Sequence, residues 1–426
     1  MSGDKILVKG GQAVLPDGIK ELDILVSEGR IAKIGRDLEC GGARVIDASG
    51  MYAAPGLVDI HCHLREPGYE EKEDIASGAA AAARGGFTSI CCMPNTNPVN
   101  DNAVVTEFIR KKASIAGPVR VYPIAAITKG LEGEELTEAG ELAESGATAL
   151  SDDGRCVKNA QKMRLALCYA KRFGIKIISH PEDTDLVNGG LMNEGSWSTA
   201  LGLPGITRAA EEVMIARDCM LAEIENTGVH IAHVSTAGGA RIIKEAKERG
   251  AAVTCETAPH YIYASDEWVK SYDTFTKVNP PLRTEEDRKA LIKALADGTI
   301  DCIATDHAPH HIDDKNVEYA IAANGISGFE TAFGICWTVL VKGGFMTPEK
   351  LFAKMTSAPA AILGLDAGTL EEGRSADLVI IAPDEKWVVD PSKFVSKGHN
   401  SPFGGCELTG AVKYTIAGGQ IAYGGK

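Results

Sequence analysis

The chain lacks the features that would place it in a membrane or on a nucleic acid. Residues Met1 to Lys5 contain no apolar leader-like run, and no stretch of 18 uncharged apolar residues follows. Basic residues are in the minority, 44 Lys and Arg against 58 Asp and Glu, so the net charge is −14. An acidic surface disfavours binding to phosphate backbones and to anionic lipids. We therefore expect a cytoplasmic protein that binds neither nucleic acid nor membrane.

A disulfide framework is also missing. The 11 cysteines are odd in number, form no Cys-x-x-Cys pair and lie mostly in apolar stretches such as 89–93. Thiols in such surroundings are typically reduced and buried. Cys62 stands between two histidines on a predicted strand, so it points to the opposite face and is assigned to packing.

The two ends of the chain have the pattern of small β-sheets. Before Pro55, short alternating segments are separated by Gly and Asp turns, and the same pattern returns after about Leu365. Neither end alone can bury a sheet face well. We predict that residues 1–54 and 365–426 join into one small β-sandwich domain.

The central part of the chain, 55–364, alternates short apolar strands with helical stretches. Eight such strands predict an α/β fold with a (β/α)8 TIM-like barrel, whose active sites lie at the carboxyl ends of the strands. The predicted helices cover residues 73–84, 102–112, 159–173, 207–225, 240–249 and 285–297. The predicted strands end at His63, Asn95, Thr128, Asp153, His180, His233, His260 and Asp306.

The segment 59–67 is the most informative one. If it is a strand, His61, His63 and Arg65 share one face, because side chains two residues apart point the same way. Two neutral imidazoles beside a guanidinium indicate a divalent metal with an anionic substrate next to it. A pair of strand histidines held by ordinary hydrogen bonds is the alternative for the pattern taken alone.

Further candidates stand at the other strand ends. His180 and His233 add two imidazoles, Asp153 adds a carboxylate where a ligand shared by two metals would be needed, and Asp306 adds another. Asp152 and His307 are their neighbours in sequence and should face away, toward hydrogen bonds and packing. His260 could contact substrate, although we favour a structural hydrogen bond for it.

Segments 59–67 and 304–315 resemble the two signature segments of dihydroorotases in the amidohydrolase superfamily, and the likeness extends over 93–96, 233–236 and 277–281. The resemblance covers essentially the whole chain. It implies that His61, His63 and Asp306 hold one zinc ion, that His180 and His233 hold a second, and that Asp153 bridges them. It further assigns substrate binding to Arg65, Asn95, Asn279 and His310.

The chain departs from the wider superfamily at Asp153. Hydantoinases, dihydropyrimidinases and allantoinases typically have a carboxylated lysine at this position, whereas the nearest lysine here is Lys158, in the following loop. The aspartate resembles a bacterial branch of dihydroorotases that bridges with a plain carboxylate. Because Asp is shorter, the number of zinc ions, one or two per subunit, stays open.

The resemblance implies a reaction. A zinc-activated water would attack the ring amide of (S)-dihydroorotate, Asp306 would carry the proton to the ring nitrogen, and the product would be N-carbamoyl-L-aspartate. The reverse direction closes the ring in pyrimidine biosynthesis. The implied partners are this small-molecule substrate, further copies of the chain in a homo-oligomer, and aspartate carbamoyltransferase.

Two alternatives remain at this stage. Another cyclic amidohydrolase, acting on dihydropyrimidines, hydantoins or allantoin, would leave Arg65 and Asn95 without a ring carboxylate to bind. A catalytically silent scaffold for aspartate carbamoyltransferase would be expected to have lost metal ligands, and all six candidates are present.

Overall fold

The computed structural model describes residues 5–39 and 41–424. The predictions made for residues 1–4, for Cys40 and for the last two residues of the chain lie outside the described residues.

The strands, in chain order, are β1 (Ile6–Leu15), β2 (Gly18–Ser27), β3 (Arg30–Gly35), β4 (Arg44–Asp47), β5 (Tyr52–Pro55), β6 (Leu57–Cys62), β7 (Phe87–Cys92), β8 (Arg120–Pro123), β9 (Ala149–Ser151), β10 (Lys176–Ser179), β11 (Met192–Asn193), β12 (Gly205–Ile206), β13 (Val229–Ile231), β14 (Val253–Thr257), β15 (Cys302–Ile303), β16 (Leu378–Val388), β17 (Glu407–Ala417) and β18 (Gln420–Tyr423).

The α-helices are α1 (Ile75–Arg84), α2 (Ala103–Ala113), α3 (Ala139–Ser145), α4 (Ala160–Arg172), α5 (Thr184–Val187), α6 (Ser196–Leu201), α7 (Ala209–Ile224), α8 (Ala237–Glu248), α9 (Pro259–Tyr263), α10 (Glu285–Asp297), α11 (Ile312–Lys315), α12 (Phe329–Cys336), α13 (Pro348–Met355) and α14 (Ser357–Leu363).

Eight parallel strands close into a barrel. β6, β7 and β8 form one run, and β9, β10, β13, β14 and β15 form another. A parallel bridge between Ala125 and Leu150 joins β8 to β9, and a bridge between Cys62 and His307 joins the end of β6 to the segment after β15. The predicted (β/α)8 barrel is therefore confirmed.

These strands are buried along their length because both of their faces are covered. Every residue of β6 and of β7 is buried, as expected where helices pack on the outer face. Val58, Cys91 and Ile178 come from three strands around the barrel and, with Ala232 directly after β13, belong to one apolar cluster. Strands on opposite sides of a barrel meet only through its interior, so this cluster fills the inside.

Both ends of the chain build one β-sandwich module, as predicted. Its strands run in the order β18, β17, β16, β5, β1, β2 and β3, with β4 paired to β1. The antiparallel pairing of β16 with β5 joins the two chain ends, with Leu378 opposite Pro55. Val8, Ile24 and Ile380 lie in the fully buried core of this module.

The barrel strands are shorter than predicted. Each one ends one to five residues before the polar residue predicted to close it: β6 ends at Cys62 and β15 at Ile303, ahead of His63 and Asp306. His260 lies in the short helix α9. The predicted helices are present with ends shifted by at most three residues, and Glu285–Asp297 is unchanged.

The thiols are as expected for a reduced protein. The ten cysteines among the described residues are free, and eight of them are buried. Cys62 donates to the carbonyl of Cys91 at 3.1 Å, in keeping with a packing role. Within the part of the chain that the structure describes, no helix is long and apolar enough to cross a membrane.

Candidate active site

Four histidines and two aspartates meet at the carboxyl ends of five barrel strands, and they are the six residues predicted as metal ligands. They follow β6, β9, β10, β13 and β15, apart from His61, which lies within β6. Their close approaches include His61 Nε2 to Asp153 Oδ1 at 3.3 Å, His63 Nε2 to Asp306 Oδ1 at 3.2 Å, His180 Nδ1 to His233 Nε2 at 2.7 Å, and His233 Nε2 to Asp153 Oδ1 at 3.5 Å.

Neighbouring acceptors orient the first two imidazoles. His61 Nδ1 donates to Glu256 Oε1 at 2.6 Å, and His63 Nδ1 donates to Asn95 Oδ1 at 2.9 Å. A ring held by a hydrogen bond at Nδ1 turns its Nε2 to the other side. Both rings therefore aim Nε2 at the aspartates.

Opposite charges within the cluster shift the pKa values of its members. Burial lowers the pKa of His61, but the carboxylates of Asp153 and Glu256 outweigh burial and hold it well above its usual value. Burial raises the pKa of Asp306, yet a hydrogen bond with His63 and the neighbouring imidazoles bring it down to about 2. Asp306 is thus a carboxylate at neutral pH.

Three residues of the site have left-handed backbones: Arg65 with φ of 62°, His233 with φ of 35° and Asp306 with φ of 47°. Residues with side chains adopt such angles uncommonly, and strained backbone of this kind tends to cluster at active sites. The expectation that Arg65 continues a strand beyond His63 was wrong, because β6 stops at Cys62. Arg65 reaches the site through a turn instead.

A cavity of about 170 Å³ opens beside the cluster. Arg65, Asn95 and Asn279 line it together with most of the histidines and aspartates. Arg65 Nε donates to the carbonyl of Pro309 at 3.2 Å, and Asn279 Nδ2 donates to Glu182 Oε1 at 2.9 Å. The cavity therefore pairs one guanidinium and two amides with the imidazole and carboxylate cluster.

His310 is placed differently from the other predicted substrate residues. It is not among the described residues that line the cavity. Its Nε2 donates to the carbonyl of Asn324 at 2.8 Å and lies 3.3 Å from Arg65 Nη2. Burial and the charge of Arg65 lower the pKa of His310 to about 2, so the ring beside the guanidinium is neutral.

The residues next to the cluster in sequence have structural contacts. Asp152 Oδ1 accepts from the backbone N–H groups of Ile127 and Thr128, and the ring of His307 stacks on Phe329 with centroids 4.1 Å apart. Both fit the predicted packing roles. The structural hydrogen bond favoured for His260 is not found at its Nε2, which has no partner among the described residues.

Two glutamates beside the cluster were not predicted from the sequence. Glu256 lies inside β14 and is 1% exposed, and Glu182 Oε2 lies 3.6 Å from His180 Nε2. Glu256 Oε2 also contacts His230 Nε2 at 3.1 Å. A charged residue within a predicted parallel barrel strand is the signal that could have identified Glu256.

Comparison with known proteins agrees with this geometry. Residues 50–238 match the family model described as "Dihydro-orotase-like", and residues 199–423 match the "Amidohydrolase family". Proteins named dihydroorotase in Acetivibrio thermocellus, Pelotomaculum thermopropionicum and Geobacter metallireducens are each 54% identical to the chain, over 98% of its length and 98–99% of theirs.

The chain belongs to the dihydroorotase family.

Solved structures place this dihydroorotase-family chain among the cyclic amidohydrolases. An L-hydantoinase (dihydropyrimidinase) from Arthrobacter aurescens superposes with a TM-score of 0.89 at 27% identity, over 98% of this chain and 96% of that one. A D-hydantoinase superposes with a TM-score of 0.87 at 25% identity, over 98% and 95%. The barrel and β-sandwich are thus shared well beyond the dihydroorotases.

Amidohydrolases of this kind are generally metal-dependent, and the cluster fits a cation. His61 Nε2 and Asp153 Oδ1 are buried and have no hydrogen-bond partner among the described residues. Donor atoms of His61, His63 and Asp306 lie within 4.8 Å of one another, as do those of His61, Asp153 and His233. Buried polar atoms without partners are costly unless something binds them.

Proposed function

We propose that the protein is a dihydroorotase, which hydrolyses (S)-dihydroorotate reversibly to N-carbamoyl-L-aspartate, and that the cyclisation direction serves pyrimidine biosynthesis. One observation carries the proposal: the imidazole and carboxylate cluster opens onto a cavity with Arg65 in its wall. The cluster suits metal-assisted amide hydrolysis, and the guanidinium suits a substrate with a carboxylate.

Zinc is the proposed metal, because imidazole and carboxylate are ligands that it commonly takes in enzymes. One ion would be held by His61, His63 and Asp306, a second by His180 and His233, with Asp153 between the two. When bound, zinc supplies a Lewis acid that activates water near neutral pH and polarises the carbonyl to be cleaved.

Arg65 is the proposed anchor for the ring carboxylate. Its Nε donates to the carbonyl of Pro309 and the residue lines the cavity, so its terminal nitrogens are proposed to bind the carboxylate. The neutral ring of His310 adds no second charge there. Asn95 and Asn279 are proposed to bind the amide edge of the ring, since an amide side chain both donates and accepts.

Asp306 is the proposed proton carrier. Its hydrogen bond with His63 and its low pKa keep it ionised, so one of its oxygens can accept the proton of the attacking water. The same oxygen then donates that proton to the departing ring nitrogen, and cyclisation follows the reverse order.

The test combines metal analysis with ring opening of dihydroorotate. In Asp306→Asn loaded to the wild-type metal content we expect turnover to fall by about 10²- to 10⁴-fold, because the amide cannot carry the proton. Asp313→Asn, at an exposed carboxylate, is the matched control and should keep wild-type turnover. Wild-type turnover in Asp306→Asn would remove the proton role.

The likeness to hydantoinases favours a second candidate, a dihydropyrimidinase or hydantoinase. Substrates of that type lack the ring carboxylate, which leaves Arg65 without a partner. Ring opening of dihydrouracil but not of dihydroorotate by the wild-type protein would replace our proposal with this one. A metal-loaded protein that opens neither ring but retains a carbamoyltransferase in a pull-down would support the silent scaffold.

Several further assignments are proposals of the same kind. We propose a cytoplasmic homo-oligomer that associates with aspartate carbamoyltransferase, with domains at 1–54, 55–364 and 365–426. The pairing of β16 with β5 supports the division, because it joins the first and last parts in one sheet. Size-exclusion chromatography with light scattering, with and without the carbamoyltransferase, tests the assembly.

A further inference from the structure

A side chain from outside the barrel reaches the wall of the substrate cavity. Asn400 lies in the connection between β16 and β17, two strands of the β-sandwich module. It is only 2% exposed. Its contacts are with the segments that follow β15 in the barrel, about 75 to 90 residues earlier in the chain.

The amide of Asn400 makes four hydrogen bonds. Oδ1 accepts from the backbone N–H of His310 at 2.9 Å and from Ser327 Oγ at 2.8 Å. Nδ2 donates to the carbonyl of Ala308 at 3.0 Å and to that of Gly325 at 2.9 Å. These bonds use both donors and both acceptor positions of the amide, so its orientation is fixed.

The bonds of Asn400 join two segments that form one side of the cavity. Ala308 and Gly325, whose carbonyls Asn400 holds, both line the cavity. Within the 308–310 segment, the carbonyl of Pro309 accepts from Arg65 Nε, and His310 Nε2 donates to the carbonyl of Asn324. The position of the guanidinium thus depends on a segment that Asn400 holds.

Two glycines allow this close approach. A Cβ on Gly398 would lie 2.5 Å from Pro309 Cβ, and a Cβ on Gly325 would lie 2.6 Å from the carbonyl oxygen of Ala308. Gly325 also has a φ of +145°, which residues with side chains rarely adopt. The connection and the two segments are packed with no room to shift against one another.

The connection has a second attachment two residues before Gly398. Ser396 Oγ donates to Glu73, which lies just before α1. The same oxygen accepts from the N–H of Gly398 at 3.1 Å. Glu73 lies 3.4 Å from His307 Nε2. The segment 396–400 is therefore attached to both sides of the loop that contains Pro309.

We propose that Asn400 is a positioning residue for substrate binding. It holds the 308–310 segment, which hydrogen-bonds to Arg65, and thereby raises the affinity for an anionic ring. The four hydrogen bonds of its side chain all go to residues other than the six proposed metal ligands, so its effect is on binding and leaves the metal centre intact. The inference rests on the proposed function and deepens it.

Asn400→Asp is the sharpest variant. The aspartate has the same shape and keeps the oxygen that accepts from His310 N and Ser327 Oγ. It replaces Nδ2 with a second oxygen, which faces the carbonyls of Ala308 and Gly325. We expect KM for dihydroorotate to rise about 10- to 100-fold, with kcat within about threefold and metal content unchanged. The dissociation constant of orotate, which keeps the ring and the carboxylate, should rise by a similar factor in calorimetry.

Ser401→Ala is the matched control, because Ser401 is a buried neighbour in the same connection whose Oγ accepts only from Phe403 N at 3.4 Å among its described contacts. It should keep the wild-type KM. If the buried carboxylate prevents folding, Asn400→Ala decides the question, since it removes the four bonds without adding charge. KM and orotate affinity should again weaken.

Two results overturn the inference. In the first, the Asn400 variants melt at a lower temperature but keep wild-type KM and orotate affinity, which makes the residue merely structural. In the second, they lose metal and kcat together, which places its effect on the metal centre. If the wild-type protein neither binds orotate nor opens dihydroorotate, the proposed function itself is refuted. That outcome differs from the other two, in which the wild type and Ser401→Ala still bind orotate and open dihydroorotate.

Discussion

Glu256 is a buried carboxylate held between two imidazoles, His61 at 2.6 Å and His230 at 3.1 Å. Burial raises its pKa, but the two histidines outweigh burial and lower it to about 2. It thus stays ionised and fixes which nitrogen of His61 faces the site. Carboxylates that hold a ligating imidazole in this way typically strengthen metal binding.

For Glu256→Gln we expect metal affinity to fall about 10- to 100-fold, because a neutral amide holds the His61 ring less firmly. Competition with a chromophoric chelator measures this without any turnover. Cys302→Ser, a buried change on the adjacent strand, controls for general disturbance of the barrel interior. Equal metal affinity in Glu256→Gln and the wild type would refute the role.

Arg65→Lys tests whether the guanidinium binds a carboxylate. The ammonium keeps the charge but loses the two-pronged contact and the bond to Pro309. We expect kcat/KM for dihydroorotate to fall about 100-fold, mainly through KM, with metal content retained. A fall of the same size with dihydrouracil, which has no carboxylate, would contradict the assignment.

At this scale the sequence predicted much of the cluster. His-x-His and the polar residues after the strands sufficed to find six side chains that the structure brings together. Glu256 was missed because its partner His61 is 195 positions away, and strand periodicity carries no information on which strands face each other across a barrel.

Among the elements, α1 shows how the barrel is tied to the rest of the chain. Its N-cap residue Asp74 accepts from Ser77 N, and Ser77 Oγ bonds back to Asp74 N, which completes a capping box. Lys397 Nζ also lies 2.5 Å from Asp74 Oδ2. The start of the first barrel helix is therefore bound to the connection that carries Asn400.

Asp74→Ala should lower the free energy of unfolding by about 1–2 kcal/mol, from the lost cap and, to a lesser degree, the lost ion pair. Urea unfolding measures the change. Asp74→Asn is the matched control, because it keeps a capping oxygen and loses only the charge. It should lower the free energy of unfolding by less than about 1 kcal/mol, roughly half the loss in Asp74→Ala. Equal losses in the two variants would show that the charge, not the cap, matters.

The prediction of elements was reliable for type and order but not for strand ends. Hydrophobic runs marked all eight barrel strands, and the polar residues after them were counted as strand. In a barrel the strands splay at the mouth, so backbone pairing stops while the chain continues in the same direction. Residues with a left-handed backbone conformation, such as Arg65 and Asp306, then redirect the chain into the loops that follow the strands.

The whole molecule holds a buried lysine that couples its stability to pH. Lys315 Nζ donates to the carbonyls of Ala323 at 2.6 Å, Thr274 at 3.1 Å and Lys277 at 3.2 Å. Burial and, secondarily, the charge of Lys277 lower its pKa to about 7 from an ordinary value of 10.5. Between these two values the unfolded chain holds a proton that the folded protein has released.

Raising the pH from 7 toward 10 should therefore stabilise the folded state through Lys315, by up to about 1.4 kcal/mol per pH unit. Below pH 7 both states are protonated and the contribution is constant and unfavourable. Urea unfolding at pH 7, 8 and 9 should show a steeper rise for the wild type than for Lys315→Met. Identical slopes would show that the lysine keeps an ordinary pKa when folded.

At this largest scale the sequence predicted that the two chain ends share one module, because neither end could stand alone. It did not predict that the connection around Asn400 reaches the cavity. No local pattern marks an asparagine whose partners lie in another module, and such a contact becomes visible only once the fold is known.

The bonds of Asn400 have a consequence for biosynthesis of the enzyme. A ribosome has already released every proposed zinc ligand by the time Asp306 emerges, but the wall beside Arg65 is unsupported until nearly a hundred more residues follow. All six proposed metal ligands are therefore synthesised before the residue that joins Ala308 to Gly325, so this side of the cavity is the last part of the site to be assembled.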